Sequence, residues 1–141
     1  MAGDGPMPFD PRGAGWRLLD DGGFIDLVGP FWGRGSGLDA AFAFRAEPKH
    51  ANLLGVVQGG MLMTFADRAL GMAAWHVTGN QPCATVQFDM HFVSSARMGE
   101  FVELQPEVVR KTSALVFMRG TLLCKERVIA TAAGLWRVLA R

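Results

Sequence analysis

The chain has 141 residues, 50% of them apolar, and 14 basic against 13 acidic side chains leave a formal net charge of +1. That is one domain with enough apolar material for a full core. Its balanced charge gives no electrostatic footprint for nucleic acid or an anionic membrane, so neither is expected as a partner.

Residues 1–15, MAGDGPMPFDPRGAG, are rich in Gly and Pro and read as a flexible leader ahead of a single domain over 16–141. No basic, apolar signal segment is visible there. The expectation is a soluble, cytoplasmic protein. FIDLVGPFWGR (24–34) reads as a short helix ending at Gly29-Pro30, with Phe31 and Trp32 as anchors. GRGSG (33–37) is a loop that fits neither the dinucleotide fingerprint nor a nucleophile elbow around Ser36. LDAAFAFRAEP (38–48) alternates as a strand and is closed by Pro48.

A helix is expected from Gly59-Gly60 to about His76, stopped by Gly79-Asn80 and Pro82. It is apolar on nearly every side, which predicts burial all round. It is also interrupted by Asp67 and Arg68 and too short to span a membrane. Asp67 is the anomaly in this stretch. The residues three and four away are Met63, Thr64, Leu70 and Gly71, so it has no ion-pair partner on its own helix.

The period then changes. In VQFDMHF (86–92), Val86, Phe88, Met90 and Phe92 share one face of a half-buried strand. EFVELQPEVVR (100–110), ALVFMRGTLLC (114–124) and RVIATAAGLWRVL (127–139) read as further strands joined by short turns, which favours antiparallel neighbours. The predicted fold class is α+β: one strand before the helix, four after it, and a curved antiparallel sheet wrapped around the helix. Cys83 and Cys124 lack metal-ligand spacing and read as reduced core residues, and His76 and His91 show no metal spacing either. No metal or cofactor is expected.

This order of elements, together with HANLLGVVQGGMLMTFADRALGMA (50–73), resembles the hotdog-fold thioesterases, in particular their phenylacetate-pathway (PaaI-like) branch. The family pattern, roughly H-x-N-x-x-G-x-x-H-G-G followed by T-x-A-D-x-A, is met by His50, Asn52, Gly55, Gly59, Gly60, Thr64, Ala66, Asp67 and Ala69. TVQFDMHFVSSARMGE (85–100) resembles the family's strand and its Gly-acid turn. The resemblance covers about residues 38–139. One departure stands out: the family's His before the two glycines is Gln58 here. Both side chains donate hydrogen bonds, but only histidine titrates near neutral pH.

The chemistry follows from these residue types. Thioester hydrolysis needs donors where the carbonyl oxygen gains charge and a water or carboxylate to attack the carbon. The thiolate, with a pKa of roughly 8–9, leaves without a strong general acid. The helix start offers unpaired N–H groups and a favourable dipole. Gly59 and Gly60 leave that backbone approachable; alternatively the pair merely opens the helix. Asp67 is the candidate base or nucleophile, since a buried, unpaired carboxylate is costly. About 12 Å of helix separates it from Gly59, so two antiparallel copies of the helix are needed to bring one chain's Asp67 to the other's Gly59. The resemblance implies the same homodimer, possibly a dimer of dimers.

By the resemblance, Asn52 helps hold the attacking water or the substrate, against a loop-capping reading, and Thr85 lies beside the acid, against a plain strand threonine. His50 reads as turn-stabilising. Arg110 and Lys111, with Arg97 and Arg119, are candidate contacts for coenzyme A phosphates, against ordinary surface charges. The leading reading is an acyl-CoA thioesterase. The alternative is a non-catalytic acyl-CoA-binding hotdog domain, favoured by Gln58. A hotdog hydratase ranks last, because no His follows Asp67 within the next five residues.

Overall fold

The computed structural model describes residues 9–140. In chain order the elements are β1 (Arg17–Leu18), α1 (Gly23–Val28), β2 (Phe31–Arg34), β3 (Ala41–Arg45), α2 (Gly59–Val77), β4 (Cys83–Phe92), β5 (Phe101–Leu104), β6 (Glu107–Lys111), β7 (Leu115–Cys124) and β8 (Arg127–Val138). Short 3-10 turns cover Pro11–Ala14, Gly37–Asp39 and Pro48–His50. The strands form one curved antiparallel sheet in the order β1-β2-β3-β5-β7-β8-β4. β5 and β6 pair with successive parts of β7.

The single long helix against a curved sheet is as expected. Three details differ. Three strands, not one, precede α2 among the described residues, because Phe31-Trp32 is itself strand and pairs with β3 while β1 pairs with β2. The stretch 100–110 is two strands, broken at Gln105-Pro106, where proline removes a ladder donor. Residues 9–15, assigned to the leader, carry a turn whose Asp10 side chain accepts from the Arg12 amide at 3.0 Å. There Pro11 is buried, and Phe9 packs edge-on to Phe101. Apolar side chains at 9, 11 and 16 supply surface that water disfavours. Residues 1–8 of that leader lie outside the described residues.

The helix also corrects a prediction. α2 is buried on one stripe, Met61, Leu62, Phe65, Ala66, Ala69, Leu70, Ala73 and Ala74, at the spacing of a single helical face. The opposite face, which holds Gly60, Met63, Thr64, Asp67, Gly71 and Trp75, is half-buried or exposed in this chain. On the buried stripe, Phe65 stacks against Phe31 and Phe44 with ring centroids 5.5 and 4.9 Å apart. Burying each such ring is worth about 1.5–3 kcal/mol.

β4 ends the sheet. A bulge places Val86 between Thr85, opposite Trp136, and Gln87, opposite Leu135. Phe88 and Met90 are half-buried, whereas Val86 and Phe92 are exposed, as an edge strand permits. Cys83 and Cys124 are both free thiols.

Candidate active site

The site is built from the start of α2 outward. Gln58 is the N-cap of the helix. Its amide donates to the His50 carbonyl at 2.8 Å, and its carbonyl accepts from Met61 at 2.9 Å and Leu62 at 3.2 Å. That leaves its side chain to act, and Oε1 accepts the Gly59 N–H at 3.0 Å. The amide expected to stabilise a developing oxyanion is therefore held by the neighbouring side chain.

Packing separates the two glycines. A Cβ at Gly59 would meet two ring carbons of Phe92 at 3.2 Å, whereas one at Gly60 meets nothing nearer than Gln58 Cγ at 3.9 Å. Gly59 is small because a ring lies over it; Gly60 borders open space. Phe92 was not singled out from sequence. Its only signal there was its place as the last apolar residue of the strand alternation.

The loop before the helix explains two more residues. Asn52 Oδ1 accepts from Leu54 at 2.8 Å and Val56 at 3.3 Å, which is the loop-capping geometry. His50 is buried; its Nδ1 accepts from the Glu47 amide at 3.0 Å and its Nε2 bonds the Val28 carbonyl. With both ring nitrogens engaged, His50 is a structural pin between the loop and the end of α1.

Asp67 lies two turns along α2 on the half-open face. Thr85 Oγ1, from edge strand β4, donates to Asp67 Oδ1 at 2.6 Å. The hydroxyl orients the carboxylate and leaves Oδ2 to accept a further donor. Asp67 and Thr85 are thus brought together, as are Gln58, Gly59 and Gly60. The two groups are separated by about 12 Å of one helix. Arg68, next to Asp67, is engaged elsewhere, in a bidentate pair with Asp21.

The helix start is propped by a network that sequence reading reached only as a Gly-acid turn. Val57 N donates to Ala96 O at 2.9 Å. The loop carrying Ala96 is closed by Gly99, with φ at +86°, and by Glu100, which accepts from the Arg97 amide at 2.7 Å and from Arg127. The Arg127 guanidinium, with the Arg97 amide and the Cys124 thiol, holds the Glu100 carboxyl down to about 2 against the pull of burial. The Cys124 thiol is pushed up by burial and by the Glu100 carboxylate.

The expected cations scatter. Lys111 lies three strands from Thr85 along the row Thr85, Trp136, Val116, Lys111, a lateral distance of about 14 Å. Arg110, next along the strand, pairs with Phe117 and faces the other side of the sheet. Arg119 is taken by Glu107 in a bidentate pair at 2.8 and 3.0 Å. Arg97 borders the helix start through its bridge to Val56. Among the described residues, no group of three or more His, Cys, Asp or Glu is placed to hold a metal ion, and no helix is long and apolar enough to cross a membrane.

Comparison with known proteins places the fold and the family. A family model described as the thioesterase superfamily matches residues 54–131, which contain α2, Asp67 and Thr85. A Pseudomonas aeruginosa protein whose name assigns it to the esterases is 34% identical over 116 residues, 81% of this chain and 87% of that protein. Human acyl-coenzyme A thioesterase 13 is 26% identical over 73 residues, about half of each chain at 52%. Among solved structures, zebrafish thioesterase superfamily member 2 superposes with a TM-score of 0.78 at 21% identity, covering 85% of this chain and 89% of that one. That likeness is one of fold, the hotdog arrangement of sheet and helix.

Proposed function

The chain belongs to the thioesterase superfamily, and from that premise we propose that it is an acyl-CoA thioesterase whose site is shared between two copies of the chain. Thioester hydrolysis is the chemistry of the family; the coenzyme A ester is the substrate named for its human relative. The observation that carries the reading is the 2.6 Å hydrogen bond from Thr85 Oγ1 to Asp67 Oδ1. It orients a carboxylate on a half-open helix face, where its second oxygen is left for a water or for the thioester carbon.

In the proposed reaction, the thioester carbonyl oxygen lies at the Gly59 N–H of one chain, with Gln58 turned aside and Gly60 leaving the approach clear. Asp67 of the other chain takes a proton from water as the water oxygen bonds to the carbonyl carbon. Collapse of the tetrahedral intermediate breaks the carbon–sulfur bond, and the proton passes to the departing thiolate. Direct attack by the Asp67 carboxylate breaks the carbon–sulfur bond, expels the thiolate and gives a mixed anhydride, which water opens to the free acid and the restored carboxylate; both routes use the same two groups. Asn52 presents its NH2 to the water or the substrate. Lys111, in the same cross-strand row as Thr85, is assigned to the phosphates of coenzyme A, with Arg110 on the other face as the alternative contact. Two copies are required because Gly59 and Asp67 lie about 12 Å apart on one helix. We read residues 16–141 as one domain acting in the cytoplasm.

The test is thiol release from aryl-, short- and medium-chain acyl-CoAs by the wild type and Asp67→Asn. Turnover that drops at least about a hundredfold in a folded, dimeric variant supports the reading. A second reading, a binding domain without catalysis, draws on the contact between Gln58 Oε1 and Gly59 N–H. Saturable acyl-CoA binding with no thiol released from any ester would establish it instead.

A further inference from the structure

We propose that Trp136 is a positioning residue for Asp67. Its indole, seated in a notch made by Gly71, sets how close α2 comes to β4 and so holds Thr85 against the carboxylate. The proposal rests on the catalytic reading of Asp67 and adds to it a buried residue outside the chemistry.

One flank of α2 meets the edge of the sheet at successive turns. Asp67 accepts from Thr85 at 2.6 Å, and Trp75 Nε1 donates to the Cys83 carbonyl at 3.2 Å. Gly71 lies between them, one turn from each, and there the neighbour is Trp136. A Cβ at Gly71 would stand only 3.1 Å from Trp136 Nε1, so glycine is what lets the ring in. Trp136 is also the cross-strand partner of Thr85. Asp67, Gly71, Trp136 and Thr85 are therefore the corners of one frame. Helix rise fixes one side of it, and the strand ladder fixes the side opposite.

The indole has little room to yield. It is 1% exposed. Its far edge lies over Gly134, where a Cβ would come within 2.7 Å of Cη2 and Cζ3. Phe88 closes on it edge to face, with ring centroids 6.4 Å apart. In so close a packing, a group added at Gly71 is accommodated by the helix rather than by the ring. The move needed is a few tenths of an ångström. The bond from Thr85 to Asp67, at 2.6 Å, lies in the short range of about 2.5–2.7 Å for a hydroxyl on a carboxylate. A move of that size takes it out of the range.

The test is a double-mutant cycle with Gly71→Ala and Thr85→Ala, on the acyl-CoA that the wild type hydrolyses fastest. Gly71→Ala is expected to lower kcat at least about fivefold with KM unchanged, since misplacement by about 1 Å costs about a hundredfold. Alanine is the better helix former at this position, so the fold is retained. In the Thr85→Ala background the bond is already gone, and Gly71→Ala should cost less than about twofold. Losses that multiply, or an unchanged kcat in Gly71→Ala, overturn the proposal. Trp136→Phe removes the edge that meets position 71, so adding it to Gly71→Ala should raise kcat at least about threefold. No recovery in the folded protein overturns the role of the indole.

The carboxyl 13C signal of Asp67, identified by its loss in Asp67→Asn, reads the same frame without turnover. It should move in Gly71→Ala in the direction it moves in Thr85→Ala; a signal that keeps its wild-type position overturns the proposal. If the wild type releases no thiol, or Thr85→Ala keeps full kcat, the catalytic reading fails by itself. The carboxyl signal then decides the positioning by Trp136 independently.

Discussion

Gln58 Oε1 accepts the backbone N–H of Gly59 at 3.0 Å, so the first amide of α2 is capped by the residue that precedes it. An oxyanion and this amide oxygen seek the same hydrogen. Turning the side chain aside frees the amide and lets Gln58 Nε2 donate instead. Gln58→Glu places a carboxylate where the helix dipole and the Gly59 amide both favour negative charge. Its kcat on acyl-CoA is expected to drop about a hundredfold at neutral pH, the scale of losing one oxyanion donor. Activity should recover as acid protonates the introduced carboxyl; a pH–rate profile of the variant against wild type reads this directly. An unchanged profile would remove Gly59 N–H from the mechanism.

The two glycines are expected to respond differently to alanine. Gly60→Ala adds a methyl group in open space and replaces the poorest ordinary helix former with the best, so stability rises by about 0.5 kcal/mol. Gly59→Ala drives a Cβ to 3.2 Å from the Phe92 ring, and the ring must move. The expected signature is a loss of stability that Gly59→Ala with Phe92→Ala restores, measured by urea unfolding as a double-mutant cycle.

Acid should loosen the loop that props the helix start. The Glu100 carboxyl, held by Arg127 and the Arg97 amide, sits at about 2 in the folded chain against an ordinary 4.5. Folding therefore lowers this pKa, and the folded protein binds fewer protons than the unfolded one. The stabilisation is complete above about pH 4.5 and is lost as pH falls toward 2. Glu100→Gln should cost of order 1 kcal/mol at pH 7, a partly exposed pair being worth no more, with the cost shrinking below pH 4. Denaturant midpoints for both proteins from pH 7 to pH 2 test the sign and the window.

Arg68 ties the amino-terminal segment to α2 through its bidentate pair with Asp21. The Arg68 guanidinium holds the Asp21 carboxyl below its usual range, against burial, so this pair too contributes above the ordinary carboxylate pKa and weakens in acid. Arg68 Nη1 is already buried without a partner. Asp21→Ala leaves the whole cation unpaired, for a loss of about 2 kcal/mol. Because this pair anchors the segment leading into α1, amide exchange in residues 19–28 should quicken in the variant while α2 stays protected. Unaltered exchange there would show that the pair does not hold the segment.

Local pattern was enough to reveal much of this protein. The glycine pair, the apolar run after it and the Gly79-Asn80 stop define α2 within a residue or two, because helix termini and periodicity are encoded within a few neighbours. Asp67 stood out for the same reason: no cation lies three or four residues away. Alternation and short turns marked the long strands and their antiparallel sense. What pattern did not supply was every contact made across the chain. Phe92 over Gly59, Glu100 with Arg127 and Asp21 with Arg68 join residues 27 to 47 positions apart. Burial all round was misread because an apolar helix face looks the same in sequence whether its own sheet covers it or leaves it open. Composition sets what each residue would gain by burial; only the register of the strands and the curvature of the sheet decide which residues receive it.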